Sequence, residues 1–228
     1  MSLYQGIFRP AWWANNAHVQ TILPVILPFD MPSYTRERWD TPDGDFIDVD
    51  HLDAPAGAPL LVLFHGLEGS ARSHYAISTA HACKQQGWRL AIPHFRGCSG
   101  EPNLRPRAYH AGDADEIEWI LARLAARHPG APRFAAGVSL GGNALLVWLG
   151  TRGPAAGRHI DAAAAICAPL DLAAMGHHLT RGFNQVYTRH FLTTLKQSAI
   201  AKLRAHPGLF DPAEVLRARN LDEFDNLV

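Results

Sequence analysis

Six consecutive residues, Gly137-Val138-Ser139-Leu140-Gly141-Gly142, constrain this chain more than any other stretch. They stand between an apolar run, Arg133–Val138, that reads as a strand and a helical pattern over Gly142–Leu149. Joining strand to helix through Gly-x-Ser-x-Gly demands a turn so sharp that Ser139 takes a strained backbone conformation. Side chains two positions to either side would collide, and Gly137 and Gly141 avoid that collision. Such a nucleophile elbow lifts the Ser139 hydroxyl clear of the sheet, at a helix N-terminus whose dipole and unpaired N–H groups favour a developing anion. Ser139 is the candidate nucleophile and the Leu140 N–H a candidate oxyanion donor. A glycine-rich turn without chemistry is the plainer alternative; the strand before and the helix after weigh against it.

The surrounding pattern fits that turn. Tyr34–Asp40 and Asp45–Leu52 flank Thr41-Pro42-Asp43-Gly44 and read as a hairpin. Leu60–Phe64 is a continuous apolar run, the mark of a strand buried on both faces. Ser73–Gln86 reads as a helix with Ala76, Ile77, Ala80 and Cys83 on one side, and Trp88–Pro93 as the next strand. Asp113 followed by Glu116 resembles a capping box opening a helix with Ile117, Ile120, Leu121 and Leu124 inward. A sixth strand is expected over Ile160–Cys167. Strands alternating with helices imply an α/β fold with a mostly parallel sheet covered on both faces. No linker divides the chain, so residues 1–228 read as a single domain, with 1–33 a Pro-rich segment on the surface or at the pocket edge. Residues 172–228 read as a helical cap, where Leu192, Leu195, Ala199 and Leu203 share a face that Pro207-Gly208 ends.

Composition narrows the function. Basic and acidic residues balance at 21 each, so no net field favours nucleic acid or an anionic membrane. Cys83, Cys98 and Cys167 lack metal-ligand spacing and are odd in number, which argues for a reducing, cytoplasmic setting and against a disulfide framework or metal site. The first sixteen residues lack a basic region followed by an apolar one, so no secretion signal is read there. Thr21–Phe29 is apolar, yet short and broken by Pro24 and Pro28, so no transmembrane segment is expected.

A second motif, Phe64-His65-Gly66-Leu67-Glu68-Gly69-Ser70, directly follows the buried third strand. Acyl transfer needs a second backbone donor from this loop, and the Leu67 N–H is placed to provide it. His65, at the strand end just before that donor, reads as a residue that orients the loop rather than as a base. Arg96, Cys98, Ser99 and Asn103 follow the fourth strand and either border the pocket or hold its loop.

Taken together, HGLEGS (His65–Ser70), HFRGCSGEPN (His94–Asn103), YHAGDADE (Tyr109–Glu116) and GVSLGGN (Gly137–Asn143) resemble an α/β-hydrolase family of esterases and lipases. The likeness is to the bacterial branch of the fourth AB-hydrolase subgroup, whose animal relatives are membrane-anchored lipid hydrolases. AHVQTILP (Ala17–Pro24) and LDEFDNLV (Leu221–Val228) look like the same family, so the likeness runs through essentially the whole chain. It implies a Ser139 nucleophile, oxyanion N–H groups from Leu67 and Leu140, and neither metal nor organic cofactor. It also implies a carboxylic-ester hydrolase for short- or medium-chain acyl esters or monoacylglycerol-type substrates, in lipid metabolism.

In this fold the triad runs Ser, then acid, then His along the chain. Beyond Cys167 there is no further apolar strand and no late His in a Gly-rich loop. The expectation is therefore six of the usual eight strands, with acid and base beyond Val228. Asp171 is a candidate substitute acid, with a turn or helix-cap role as the alternative; His177 and His178 are the nearest later imidazoles. A missing seventh strand would leave Ala162–Ile166 as an open apolar edge inviting self-association. The rival expectation is a catalytically silent ligand-binding or interaction protein of the same fold.

Overall fold

The computed structural model describes residues 9–228; residues 1–8, on which part of the N-terminal reading rests, including the absence of a secretion signal, lie outside them. The expected hairpin forms from β1 (Thr35–Asp40) and β2 (Phe46–Leu52), closed by the Thr41 N–H donating to the Asp45 carbonyl at 2.9 Å. Register sets Arg36 opposite Asp50 and Arg38 opposite Asp48, and each guanidinium forks onto its carboxylate at 2.7–2.8 Å. Burial alone would raise both carboxyl pKa values, but the arginine bonds hold them below the ordinary range.

Four further strands, β3 (Leu60–Phe64), β4 (Arg89–Pro93), β5 (Arg133–Val138) and β6 (Ala162–Ile166), complete a sheet of order β1-β2-β4-β3-β5-β6. From β4 onward its pairs are parallel, as crossover helices require. Alternation along β3 sends Val62 and Phe64 to one face and Leu63 to the other. Helices α3 (Ala114–Arg127) and α4 (Leu140–Arg152) cover the first face with Ile117, Ile120, Leu121, Leu145 and Trp148. Helix α2 (His74–Gln86) covers the second with the expected Ala76, Ala80 and Cys83, and stops at Gly87 in the left-handed region, φ 67°.

Three local expectations fail, each for an identifiable reason. The Asp113–Glu116 capping box does not form, because Asp113 pairs with Arg107 and Glu116 accepts from Arg96 Nε at 2.7 Å. Charged donors outcompete a backbone N–H for the same oxygen. Helix α4 begins at Leu140, two residues earlier than its glycines suggested, since the tight turn delivers the chain straight into helical geometry. Within the Pro-rich segment, for which no helix was assigned, α1 (Ala17–Ile26) forms. Its N-cap Asn16 accepts from the His18 and Val19 N–H groups, Pro24 sits inside it, and none of its residues is buried.

At the opposite edge of the sheet every residue of β6 is exposed. Beyond it come α5 (Leu172–Leu179), α6 (Gln185–Ala205), α7 (Pro212–Arg217) and α8 (Leu221–Asp225). These helices gather a separate core of Leu192, Ala199, Val215, Ala218, Leu221 and Phe224, with Leu195 partly buried against it.

Candidate active site

At the end of β5 the chain turns at Ser139 with φ 52° and ψ −119°, a conformation that L side chains seldom adopt. A Cβ added to Gly137 would stand 2.6 Å from the Gly141 carbonyl carbon, and one added to Gly141 would stand 2.7 Å from that of Phe64. Only glycine fits at either position. The Ser139 N–H donates to the Ile166 carbonyl at 2.8 Å, anchoring the corner to the neighbouring strand. Its side chain is half-buried.

Above this corner runs the loop after β3. A Cβ on Gly66 would meet the Ser139 Cβ at 3.3 Å, so the two turns are in direct contact. His65 is fully buried: one ring nitrogen lies 2.8 Å from the Gly66 carbonyl and the other accepts the Phe95 N–H at 3.0 Å. Burial pushes its pKa down to about 3, so the ring is neutral and braces the loop. The Gly66 N–H donates to Tyr75 Oη at 2.8 Å, and the Glu68 N–H to Tyr109 Oη at 2.8 Å. Glu68 itself has φ 52°. Its carboxylate accepts from Tyr109 at 2.9 Å and, across 130 residues of sequence, from Ser198 of α6 at 2.7 Å.

Backbone donors in this arrangement are left over, the Leu67 N–H and those of the uncapped start of α4 (Leu140, Gly141 and Gly142). Among the described residues, neither the Leu67 N–H nor the Leu140 N–H has a hydrogen-bond partner, while Gly66 and Glu68 on either side of Leu67 both do. Leu67 and Leu140 line a cavity of about 760 Å³, which α5, α6 and α8 wall with Leu172, Met175, Leu195 and Phe224. Ser139 is not among its lining residues.

The remaining candidates separate by role. Arg96 and Asn103 line the cavity and also hold its wall: Arg96 bonds Asp43, Asp45 and Glu116, and Asn103 bridges Asp45 and the Gly97 N–H. Burial and nearby Glu68 push Cys98 up to about 12, so it is a thiol at neutral pH. Asp171 caps α5, accepting from the Ala174 N–H at 2.8 Å, and is exposed, as are His177 and His178. No histidine among the described residues hydrogen-bonds Ser139. Sequence reading missed the roles of Tyr75, Tyr109 and Ser198; Tyr75 acts across nine residues and the other two across 41 and 130, contacts that no periodicity announces.

Residues 59–219 match the family model described as alpha/beta hydrolase fold, well over half of the chain. The chain belongs to the α/β-hydrolase fold family. It is 40% identical over 228 residues to an Escherichia coli (strain K12) protein named "Putative esterase YheT", a likeness covering 97% of this chain and 66% of that one. To the mouse protein named "Phospholipase ABHD3" it is 31% identical over 231 residues, covering 96% of this chain and 55% of the relative. The chain thus spans between half and two thirds of the length of these relatives. Among solved structures, the Pyrococcus furiosus esterase Pf2001 superposes with a TM-score of 0.54 over 76% of this chain and 66% of its own, at 17% identity, a likeness of fold. Among the described residues no helix is long and apolar enough to cross a membrane.

Proposed function

We propose that this protein is a carboxylic-ester hydrolase in which Ser139 is the nucleophile and the Leu67 and Leu140 N–H groups form the oxyanion hole. The observation that carries the reading is the pair of unpartnered amides beside a strained serine corner. Ser139 Oγ adds to the ester carbonyl carbon and gives up its proton to a base. The carbonyl oxygen becomes an oxyanion held by the two amides. The carbon–oxygen bond to the alcohol then breaks, the alcohol takes the proton, and water releases the acyl group from Ser139 in a second addition.

Leu140, Leu172, Met175 and Leu195 make the cavity suitable for a short or medium acyl chain, as in a monoacylglycerol-type ester. The names of the relatives, esterase and phospholipase, support the same substrate class. Free Cys83, Cys98 and Cys167 support a reducing, cytoplasmic setting. Asp171 is assigned to helix capping rather than to the triad.

In protein expressed from its native reading frame, Ser139→Ala should lower turnover of a p-nitrophenyl acyl ester by about 10⁶-fold, with an unchanged melting temperature. Turnover that survives the substitution would refute the assignment. One observation favours a second reading, a ligand-binding module without catalysis: no described histidine reaches Ser139. Ester binding with no turnover by wild type would select it.

A further inference from the structure

Equal totals of acid and base conceal a strong segregation. From Leu172 to Phe210 the chain has no Asp or Glu, but it has Arg181, Arg189, Lys196, Lys202 and Arg204. From Arg9 to Phe29 there is again no acid. Carboxylates gather instead on the hairpin, where Asp43, Asp45, Asp48 and Asp50 are already paired with arginines. The expectation of no attractive field rested on net charge and on basic residues spread along the chain, and it took no account of where the acids are missing.

The two acid-free stretches meet in space. His18 of α1 lies 2.8 Å from Tyr187 Oη of α6, and its ring stacks obliquely on Phe183 with centroids 4.5 Å apart. In these two stretches apolar side chains are exposed among the described residues: Trp12 is 90% exposed, Ile26 70%, and Trp13, Val25, Phe183 and Val186 follow. Arg9, Arg181 and Arg189 are exposed in the same segments. Helix α1 buries no residue, so packing against the described residues does not account for its apolar composition.

We infer that α1 and the beginning of α6 form a docking surface for an anionic phospholipid bilayer. Indoles and aliphatic side chains enter the boundary between headgroups and acyl chains, while arginines without acidic neighbours meet the negative headgroups. An acidic protein or a nucleic acid would engage the arginines but leave Ile26 and Val25 in water. Helix α6 also walls the cavity with Leu195, Ser198 and Lys202, so docking holds the cavity close to the lipid surface. The inference concerns binding alone and stands or falls separately from the esterase reading.

Vesicle flotation tests it, using phosphatidylcholine with and without phosphatidylglycerol, at low and high salt, with tryptophan emission as a second readout. Wild type should float with the anionic vesicles, lose binding in salt and shift its emission to the blue. The Trp12→Ala/Ile26→Ser double variant should bind about tenfold or more weakly. Arg181→Glu/Arg189→Glu should weaken binding to the anionic vesicles by about fivefold per charge removed and leave binding to neutral ones unchanged. Exposed positions make folding of both variants checkable by an unchanged melting temperature. Absence of wild-type flotation, equal flotation of all variants, or a dimer that the Trp12→Ala/Ile26→Ser variant converts to monomer would overturn the proposal. Salt-sensitive capture by DNA that is indifferent to Trp12 and Ile26, with no vesicle binding, would overturn it too.

Discussion

Between β1 and β6 the chain buries large side chains on both faces of the sheet, Phe64, Leu121 and Trp148 on one and Leu63, Leu90 and Ile92 on the other. The helices after β6 instead share a core of six residues, two of them alanines. The difference shows where the geometry of the site comes from. Ser139, Leu67 and Leu140 all hang from strand ends or a helix start that the sheet fixes, and Gly137 and Gly141 interlock there with no space to spare. The later helices reach the same loop through Glu68–Ser198 and through cavity-lining apolar side chains. On the proposed reading, these helices shape what binds and the sheet fixes the residues that react.

Substitutions can break that contrast, and the largest effect on stability belongs to the sheet. Trp148→Ala empties a fully buried site and frees the Glu118 carboxylate bonded to Nε1 at 2.6 Å, so unfolding free energy should fall by about 3–5 kcal/mol by denaturant titration. Leu192→Ala, in the smaller core, should cost about 2 kcal/mol and raise amide exchange in α5–α8 while leaving exchange in β3 and β5 unchanged. Equal losses for the two variants, with exchange raised everywhere, would show a single cooperative core.

Acid tests the brace beneath the loop. His65 has a folded pKa of about 3 against 6.5 for an unperturbed histidine. Below pH 6.5 the unfolded chain therefore binds a proton that the folded chain refuses. Stability from this group is present in full above 6.5 and is lost progressively as the pH falls toward 3, by about 1.4 kcal/mol per pH unit. His65→Asn should flatten that limb of the stability–pH curve; an unchanged slope would mean that the ring is not held neutral.

Much of this architecture was legible in the chain, for physical reasons. A strand buried on both faces has to be continuously apolar, which exposed β3, and the glycine spacing at 137 and 141 admits few conformations other than the one observed. What stayed hidden depended on partners far away. Asp113 and Glu116 carried the spacing of a helix cap, but Arg107 and Arg96 claimed them. Pro24 and Pro28 gave no sign of a helix, and Asn16 started one ahead of them. Tyr109 and Ser198 hold Glu68 from 41 and 130 residues away; Tyr109 opens a motif quoted above, but its bond to Glu68 has no local signature, nor has that of Ser198.

Smaller effects sharpen the comparison from the side of the loop. Tyr109→Phe removes the acceptor of the Glu68 N–H and the donor to its carboxylate, and should cost about 1–3 kcal/mol. If Tyr109 positions the Leu67 N–H, kcat should fall with little change in KM; a change in KM alone would assign it to the cavity wall. Ser198→Ala severs one hydrogen bond between α6 and the loop and should cost about 1 kcal/mol or less, with kcat retained.

Covalent mapping tests the central claim most directly. Protein from the native reading frame, treated with a fluorophosphonate and digested, should carry the adduct on the peptide containing Ser139 and on no other serine. Labelling of a different residue, or none in wild-type protein that still turns over ester, would contradict the account.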